Sequence, residues 1–358
     1  MAKRRIGILT SGGDCPGLNA AIRGVAYASY NLFDCEFIGI NDGYKGLIDG
    51  DCRDMKRSDF TGILTLGGTI LGTCRTPYRN MRVIEEDNVD KVAAMKKNYK
   101  KLGLDCLVTL GGNGTHKTAN MLSEEGLNVI GLPKTIDNDL YGTDVTFGFH
   151  SAVDIATDVV DRIHTTANSH GRAMVIELMG NKAGWLTLYA GIAGGADVIL
   201  LPEIPYDITK VIRTVTERQN HRRNFAIICV AEGAMNKEEA AMKRREREEK
   251  RAEAAYNSVS YRIAENIQSG TGLETRVVVP GHYQRGGSPS PYDRLLATQF
   301  GAYAARLIKE ENYGNTVAMI NGVVGHNPLP EIAGLKKLVD PDGAMVRTAK
   351  DMGVCFGD

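Results

Sequence analysis

Short apolar runs alternate with stretches of helical periodicity along most of this chain. Runs at 6–10, 36–40, 104–110, 127–132, 172–178, 197–201, 225–231 and 275–280 predict strands, and helical patterns begin at Leu18, Thr115, about His150, Gly184, Ile208, about Lys237 and Pro291. This alternation predicts α/β architecture: central, mostly parallel sheets with helices on both faces. Ligands in such sheets sit at the carboxyl ends of the strands, so the turns there are the places to look for chemistry. At 358 residues the chain is longer than one hydrophobic core usually serves, which predicts two domains. Beyond Asn321 the patterns weaken, and Pro328-Leu329-Pro330 and Asp340-Pro341-Asp342-Gly343 read as turns of a tail that wraps the surface.

Composition narrows the function classes. Lys plus Arg equals Asp plus Glu at 43 each, which argues against binding nucleic acid by bulk charge, so any anion must be met by local clusters. Seven scattered cysteines without a C-x-x-C pair suggest neither a disulfide framework nor a zinc site, as expected of a cytoplasmic protein. The apolar run after Met1-Ala2-Lys3-Arg4-Arg5 is too short for a signal peptide, and no run approaches the roughly 18 to 20 residues that span a bilayer. From Asn236 to Ala254, seven Lys/Arg and six Glu fall within 19 positions, predicting a solvated helix laced by i,i+4 pairs and carrying no site.

The turns carry the candidate chemistry. Thr10-Ser11-Gly12-Gly13-Asp14-Cys15-Pro16-Gly17 joins a strand to an Ala-rich helix, and Gly111-Gly112-Asn113-Gly114-Thr115 holds the equivalent place about 100 residues later. Glycines let a phosphate approach the backbone, and a helix N-terminus offers free N–H groups, so two such cradles favour a polyphosphate; neither is a G-x-G-x-x-G or Walker A sequence. Pro133-Lys134-Thr135-Ile136-Asp137-Asn138-Asp139 places two carboxylates just after a buried strand. Alone this could be an Asx-rich turn capping a helix; beside two phosphate cradles it is the expected centre of catalysis. A glycine-rich segment between the cradles carries Arg75 and Arg79. Gly281-His282-Tyr283-Gln284-Arg285-Gly286-Gly287 follows another strand with an imidazole and a guanidinium suited to a sugar phosphate.

Taken together, the turns TSGGDCPGLNAAIRG, LGGNGT, PKTIDNDL, GTDVTFGF, SHGR, MGN, AGIAGGAD and GHYQRGGSPSPYDR resemble those of 6-phosphofructokinases in order and spacing, over residues 4 to 320 or so. The resemblance is to the bacterial group that includes both ATP and pyrophosphate users. It implies two similar three-layer domains: a larger donor-binding one from 1–147 plus about 286–325, and a smaller one from 148–285 that binds fructose 6-phosphate, with 326–358 a surface tail. It also implies magnesium, and a homotetramer or homodimer with sites shared between subunits. Asp137 matches the general base for the C1 hydroxyl, while Asp139 and Thr135 match residues that orient the acceptor and transferred group. Met179, Gly180, Glu232, His282 and Arg285 match sugar-phosphate contacts, and Arg172 and Arg276 those reaching in from a neighbouring subunit, with Arg172 also catalytic. Gly13, Tyr44, Arg75, Gly112, Asn113, Gly114 and Thr115 match the donor site, with Asn113 and Asp14 beside the metal.

Several departures from the family pattern matter. Asn113 stands where most ATP-using relatives have aspartate, and a neutral amide is the weaker ligand for a hard cation. Asn181 replaces the arginine of M-G-R and removes a positive charge. Gly114 leaves open the space that an aspartate fills in pyrophosphate users, whereas Lys134 is the residue type typical of those users. Steric exclusion is harder to evade than an added charge is to tolerate, so ATP is the expected donor and pyrophosphate the alternative. A catalytically silent sugar-phosphate sensor is a remote third reading. Arg23 and Arg223 match effector contacts, but Tyr27, His164, His221 and Phe225 replace others, which predicts little control by small dianions.

Overall fold

The computed structural model describes residues 3–84, 89–220, 224–253 and 258–358. The chain forms two compact units, Met1–Ser151 with Arg285–Lys337 and Ala152–Gln284 with Leu338–Asp358. The first holds a seven-stranded sheet built from β1 (Arg4–Ser11), β2 (Cys35–Ile40), β3 (Cys52–Met55), β4 (Cys106–Gly111), β5 (Val129–Pro133), β10 (Asn315–Ile320) and β11 (Val323–Pro328), in the order β11-β10-β5-β4-β1-β2-β3. The second holds β6 (Ala173–Leu178), β7 (Val198–Leu200), β8 (Ala226–Ala231) and β9 (Thr275–Val278), all parallel, in the order β7-β8-β6-β9. Every residue of β4, β5 and β8 is buried, the pattern of parallel strands covered on both faces.

The first sheet has antiparallel margins that the apolar runs did not signal. β3 pairs antiparallel with β2, and β11 with β10. The second hairpin turns on Asn321 and Gly322 at φ 52° and 77°, the left-handed pair that a tight two-residue connection requires. The helix Leu18–Leu32 lies close against Pro291–Lys309: a Cβ on Gly24 would stand 2.9 Å from the Thr298 carbonyl, and one on Gly301 2.6 Å from that of Ala21. The returning segment is thereby fixed under the first sheet.

Two expectations need correction. Residues 326–358 are not a surface tail: 326–328 complete β11, and the end of the chain enters the second unit. There Cys355 bridges Val198 beside β7, and Val346, Ala349 and Phe356 are buried, because a four-stranded sheet leaves an apolar edge that the last helix and turn cover. The single long helix expected from Lys237 is two, Lys237–Ala241 and Arg244–Glu253, separated at Met242, whose ψ of 150° is extended. No helix among the described residues is long and apolar enough to cross a membrane.

Candidate active site

In the first unit β5, β4 and β1 are neighbours and parallel, so the turns that follow them emerge side by side. The turn after β1 leads into Leu18–Leu32 through Gly17, and the turn after β4 into Asn113–Glu124 through Gly112; neither helix has a side-chain cap or an acidic residue in its first turn. Both N-termini therefore present unsatisfied N–H groups and the positive end of the helix dipole, a pair of anion-binding ends. Gly12, at φ 90°, makes the first turn possible, and its N–H donates to the Cys74 carbonyl at 3.2 Å. Thr73 donates to the Gly12 carbonyl at 2.7 Å, so the segment bearing the exposed Arg75 is tied to the first cradle.

The second cradle is braced from beneath. Tyr44 is fully buried and its hydroxyl donates to the Thr115 carbonyl at 2.8 Å, so it supports the donor turn and exposes no surface for contact. His116, buried below the same turn, meets the Gly112 carbonyl through Nδ1 at 3.0 Å and Thr316 Oγ1 through Nε2 at 2.8 Å. A carbonyl can only accept, which assigns the proton to Nδ1, and burial pushes the imidazole pKa down to about 4. Thr115 Oγ1 donates to the Ser11 carbonyl at 3.3 Å, linking the two cradles. A Cβ on Gly114 would meet nothing within 4 Å.

The turn after β5 carries the carboxylates. Asp137 N–H donates to Thr135 Oγ1 at 3.0 Å, and Thr146 Oγ1 donates to the Thr135 carbonyl at 2.7 Å. Asn138, left-handed at φ 51°, turns its carbonyl side chain inward to accept from Thr146 N–H at 3.1 Å and from Lys337 Nζ at 3.0 Å. Asp137 is left half-buried between the buried Thr135 and Asp139. Lys134 is 4% exposed, and its ammonium donates to the Gly13 carbonyl. Burial lowers its pKa, and the nearby Arg285 adds to that effect against the opposing pull of Cys15. Arg285, matched to the sugar phosphate, lies against the first cradle, with Nη1 donating to the Asp14 carbonyl at 3.2 Å. An ideal Cβ on Gly13 would stand 2.9 Å from that nitrogen, so glycine here admits the guanidinium.

In the second unit the ends of β6 and β8 form one wall of a cavity of about 610 Å³, lined by Asn181, Lys182, Glu203, Glu232, Arg247 and Arg251 among others. Glu232 Oε1 accepts from Asn181 N–H at 2.7 Å, and Gln284 Oε1 accepts from Met179 N–H at 3.2 Å, so Met179, Gly180 and Glu232 meet at one strand end; His282 is exposed on the turn Gly281–Arg285. Arg247 and Arg251 come from the charged helix that the sequence pattern predicts to be solvated and without a site. Glu239, 1% exposed, anchors Arg251 at 3.0 Å, a buried carboxylate that turns one face of that helix inward. Arg172 and Arg276 are brought together on Glu274, Arg172 at 2.8 Å, at the opposite ends of their strands. The six residues of β6 put about 20 Å between Arg172 and Met179. Of the effector positions, Arg23 stacks on Tyr27 at 4.5 Å and His164 meets Phe225 at 5.1 Å, while His221 and Arg223 lie outside the described residues.

The donor turns suit a hard cation that brings its own ligands. Among the described residues no three His, Cys, Asp or Glu side chains converge on a metal position. Asn113 Nδ2 donates to the Leu335 carbonyl at 2.6 Å, whereas its Oδ1 is buried with no hydrogen-bond partner. One such oxygen, with Asp14 on the adjacent turn, fits an ion that keeps waters and takes most of its ligands from phosphate.

Paired uncapped helix N-termini beside a carboxylate turn, in a chain with a second, parallel sheet, suit an α/β phosphotransferase. The model of the family described as Phosphofructokinase matches residues 5–308, and the chain belongs to that family. It is 57% identical over 360 residues to a protein of Spirochaeta thermophila named ATP-dependent 6-phosphofructokinase, covering 100% of this chain and 98% of that one. It is 43% identical to the pyrophosphate–fructose 6-phosphate 1-phosphotransferase of Amycolatopsis methanolica, over 94% of this chain and 97% of that one. The phosphofructokinase of Saccharomyces cerevisiae superposes with a TM-score of 0.80 at 31% identity, over 92% of this chain and 45% of the yeast chain.

Proposed function

We propose that this chain transfers the terminal phosphoryl group of ATP to the C1 hydroxyl of fructose 6-phosphate, giving fructose 1,6-bisphosphate and ADP. The observation that carries this reading is the half-buried Asp137 turn beside two uncapped helix N-termini on adjacent parallel strands. Asp137 takes the C1 hydroxyl proton as that oxygen bonds to phosphorus and the bond to the ADP oxygen breaks. Thr135 and Asp139 orient the acceptor, while Gly13, Gly112, Gly114, Thr115 and Arg75 receive the donor phosphates. Asn113 and Asp14 would hold magnesium, which would neutralise donor charge. Met179, Gly180, Glu232 and His282 hold the sugar phosphate. Arg285 is a further phosphate-gripping residue, on the first cradle.

Two features support ATP as donor: the open space at Gly114, and the commitment of Lys134 to the Gly13 carbonyl, which makes that lysine a brace of the turn. Pyrophosphate is the second reading, favoured by the Amycolatopsis methanolica relative. Turnover measured with each donor at saturating fructose 6-phosphate and magnesium decides between them: ATP is expected to be faster, and faster turnover with pyrophosphate reverses the assignment. The protein acts in the cytoplasm as a homotetramer or homodimer. Arg172 and Arg276, far along their strands from Met179, serve the site of a neighbouring subunit.

A further inference from the structure

Residues 335–337 lie across both the donor and acceptor turns of the first unit. The Leu335 carbonyl accepts from Asn113, Lys336 bridges Leu140, and Lys337 N–H donates to the Asp139 carbonyl at 3.0 Å. The lysines packed against these turns differ in what their ammonium groups do. Lys134 is buried on the Gly13 carbonyl. Lys337 donates to Asn138 Oδ1 at 3.0 Å, the Thr143 carbonyl at 2.9 Å and the Asp144 carbonyl at 2.8 Å, which uses all three of its hydrogens. Lys336 donates only to Asp139 Oδ2, at 3.3 Å, among the described residues; its side chain is 34% exposed, against 9% for that of Asp139.

A carboxylate thus holds one partly exposed ammonium at the acceptor turn, with Asp139 Oδ2 its one acceptor among the described residues. Phosphoryl transfer spreads negative charge over the equatorial oxygens of the moving group, and fixed cations at that place lower the barrier. A strap alone would need only the backbone of 335–337 and the ammonium of Lys337; a 3.3 Å ion pair whose lysine is 34% exposed adds little to stability. We propose that Lys336 is a further residue of the transfer site, oriented by Asp139 and donating to the oxygens of the phosphoryl group as it moves. This role rests on the phosphotransfer reading above.

The test compares Lys336→Met and Lys336→Arg with the wild type in the full chain, using ATP, fructose 6-phosphate and magnesium. Lys336→Met is expected to lower kcat about 10²-fold, the scale of losing one transition-state donor, with both KM values and the thermal midpoint little changed. Lys336→Arg restores most of kcat, since it keeps the charge. Unchanged kcat in Lys336→Met overturns the role. So does a fall in kcat matched by loss of the thermal midpoint in both variants, which marks a structural strap. Wild-type protein that makes no fructose 1,6-bisphosphate with either donor overturns the functional reading and this role with it; wild-type turnover beside an undiminished Lys336→Met overturns this role alone.

Discussion

Asp137 owes its position to neighbours that do no chemistry. Asn138 adopts a left-handed conformation and is held there by Thr146 and Lys337, so the chain reverses and leaves the preceding carboxylate half-buried at the rim. Asp137→Asn keeps that shape and removes the carboxylate that we propose as the base. We expect kcat to fall about 10²- to 10⁴-fold in an assay of fructose 1,6-bisphosphate formation, with KM for the sugar phosphate changed far less. Activity within tenfold of wild type would move the base elsewhere. The same turn shows why residue type alone misleads: Lys134, Lys336 and Lys337 are identical in charge, yet burial and partners make two of them braces and leave one available.

At the scale of elements, the cradles depend on what lies beneath them. Asn113–Glu124 is pinned by Tyr44 and by the neutral His116, which joins the Gly112 carbonyl to β10. Burial holds the folded pKa of His116 at about 4, below its ordinary 6.5. Between those values the unfolded chain binds a proton that the folded chain does not, so stability is full above pH 6.5 and declines as pH falls toward 4. The slope approaches about 1.4 kcal/mol per pH unit. Urea midpoints measured from pH 7.5 to pH 5 should therefore drop more steeply for the wild type than for His116→Gln; parallel curves would mean that His116 takes up its proton in the folded state.

The whole molecule divides its work between two sheets and, on the reading above, between subunits. Arg172 and Arg276 share Glu274 at the end of the second sheet away from Met179 and Glu232, so one chain cannot bring both sets to one sugar phosphate across about 20 Å of strand. Co-assembly tests this. Asp137→Ala and Arg172→Ala should each be nearly inactive alone, and chains of both kinds assembled together should regain up to about a quarter of wild-type activity, because some sites draw both intact residues from different subunits. No recovery in mixed assemblies of confirmed composition would place each site within one chain.

Local pattern determined much of this protein. Buried parallel strands read as uninterrupted apolar runs, and glycines between a strand and a helix mark anion cradles, so the α/β class and the turns at 10–17, 111–115 and 133–139 were legible from residues alone. Asn321-Gly322 is a hairpin signal too, but the apolar runs that would frame it are thin there. What only the tertiary structure decided concerns residues distant in the chain that share one turn. No periodicity ties Lys336 to Asp139, Arg285 to Asp14, or Glu239 to Arg251, because those pairs form when separate elements pack. The direction and burial of a charge belong to that packing, and they separate the cations that brace the site from the one we assign to its chemistry.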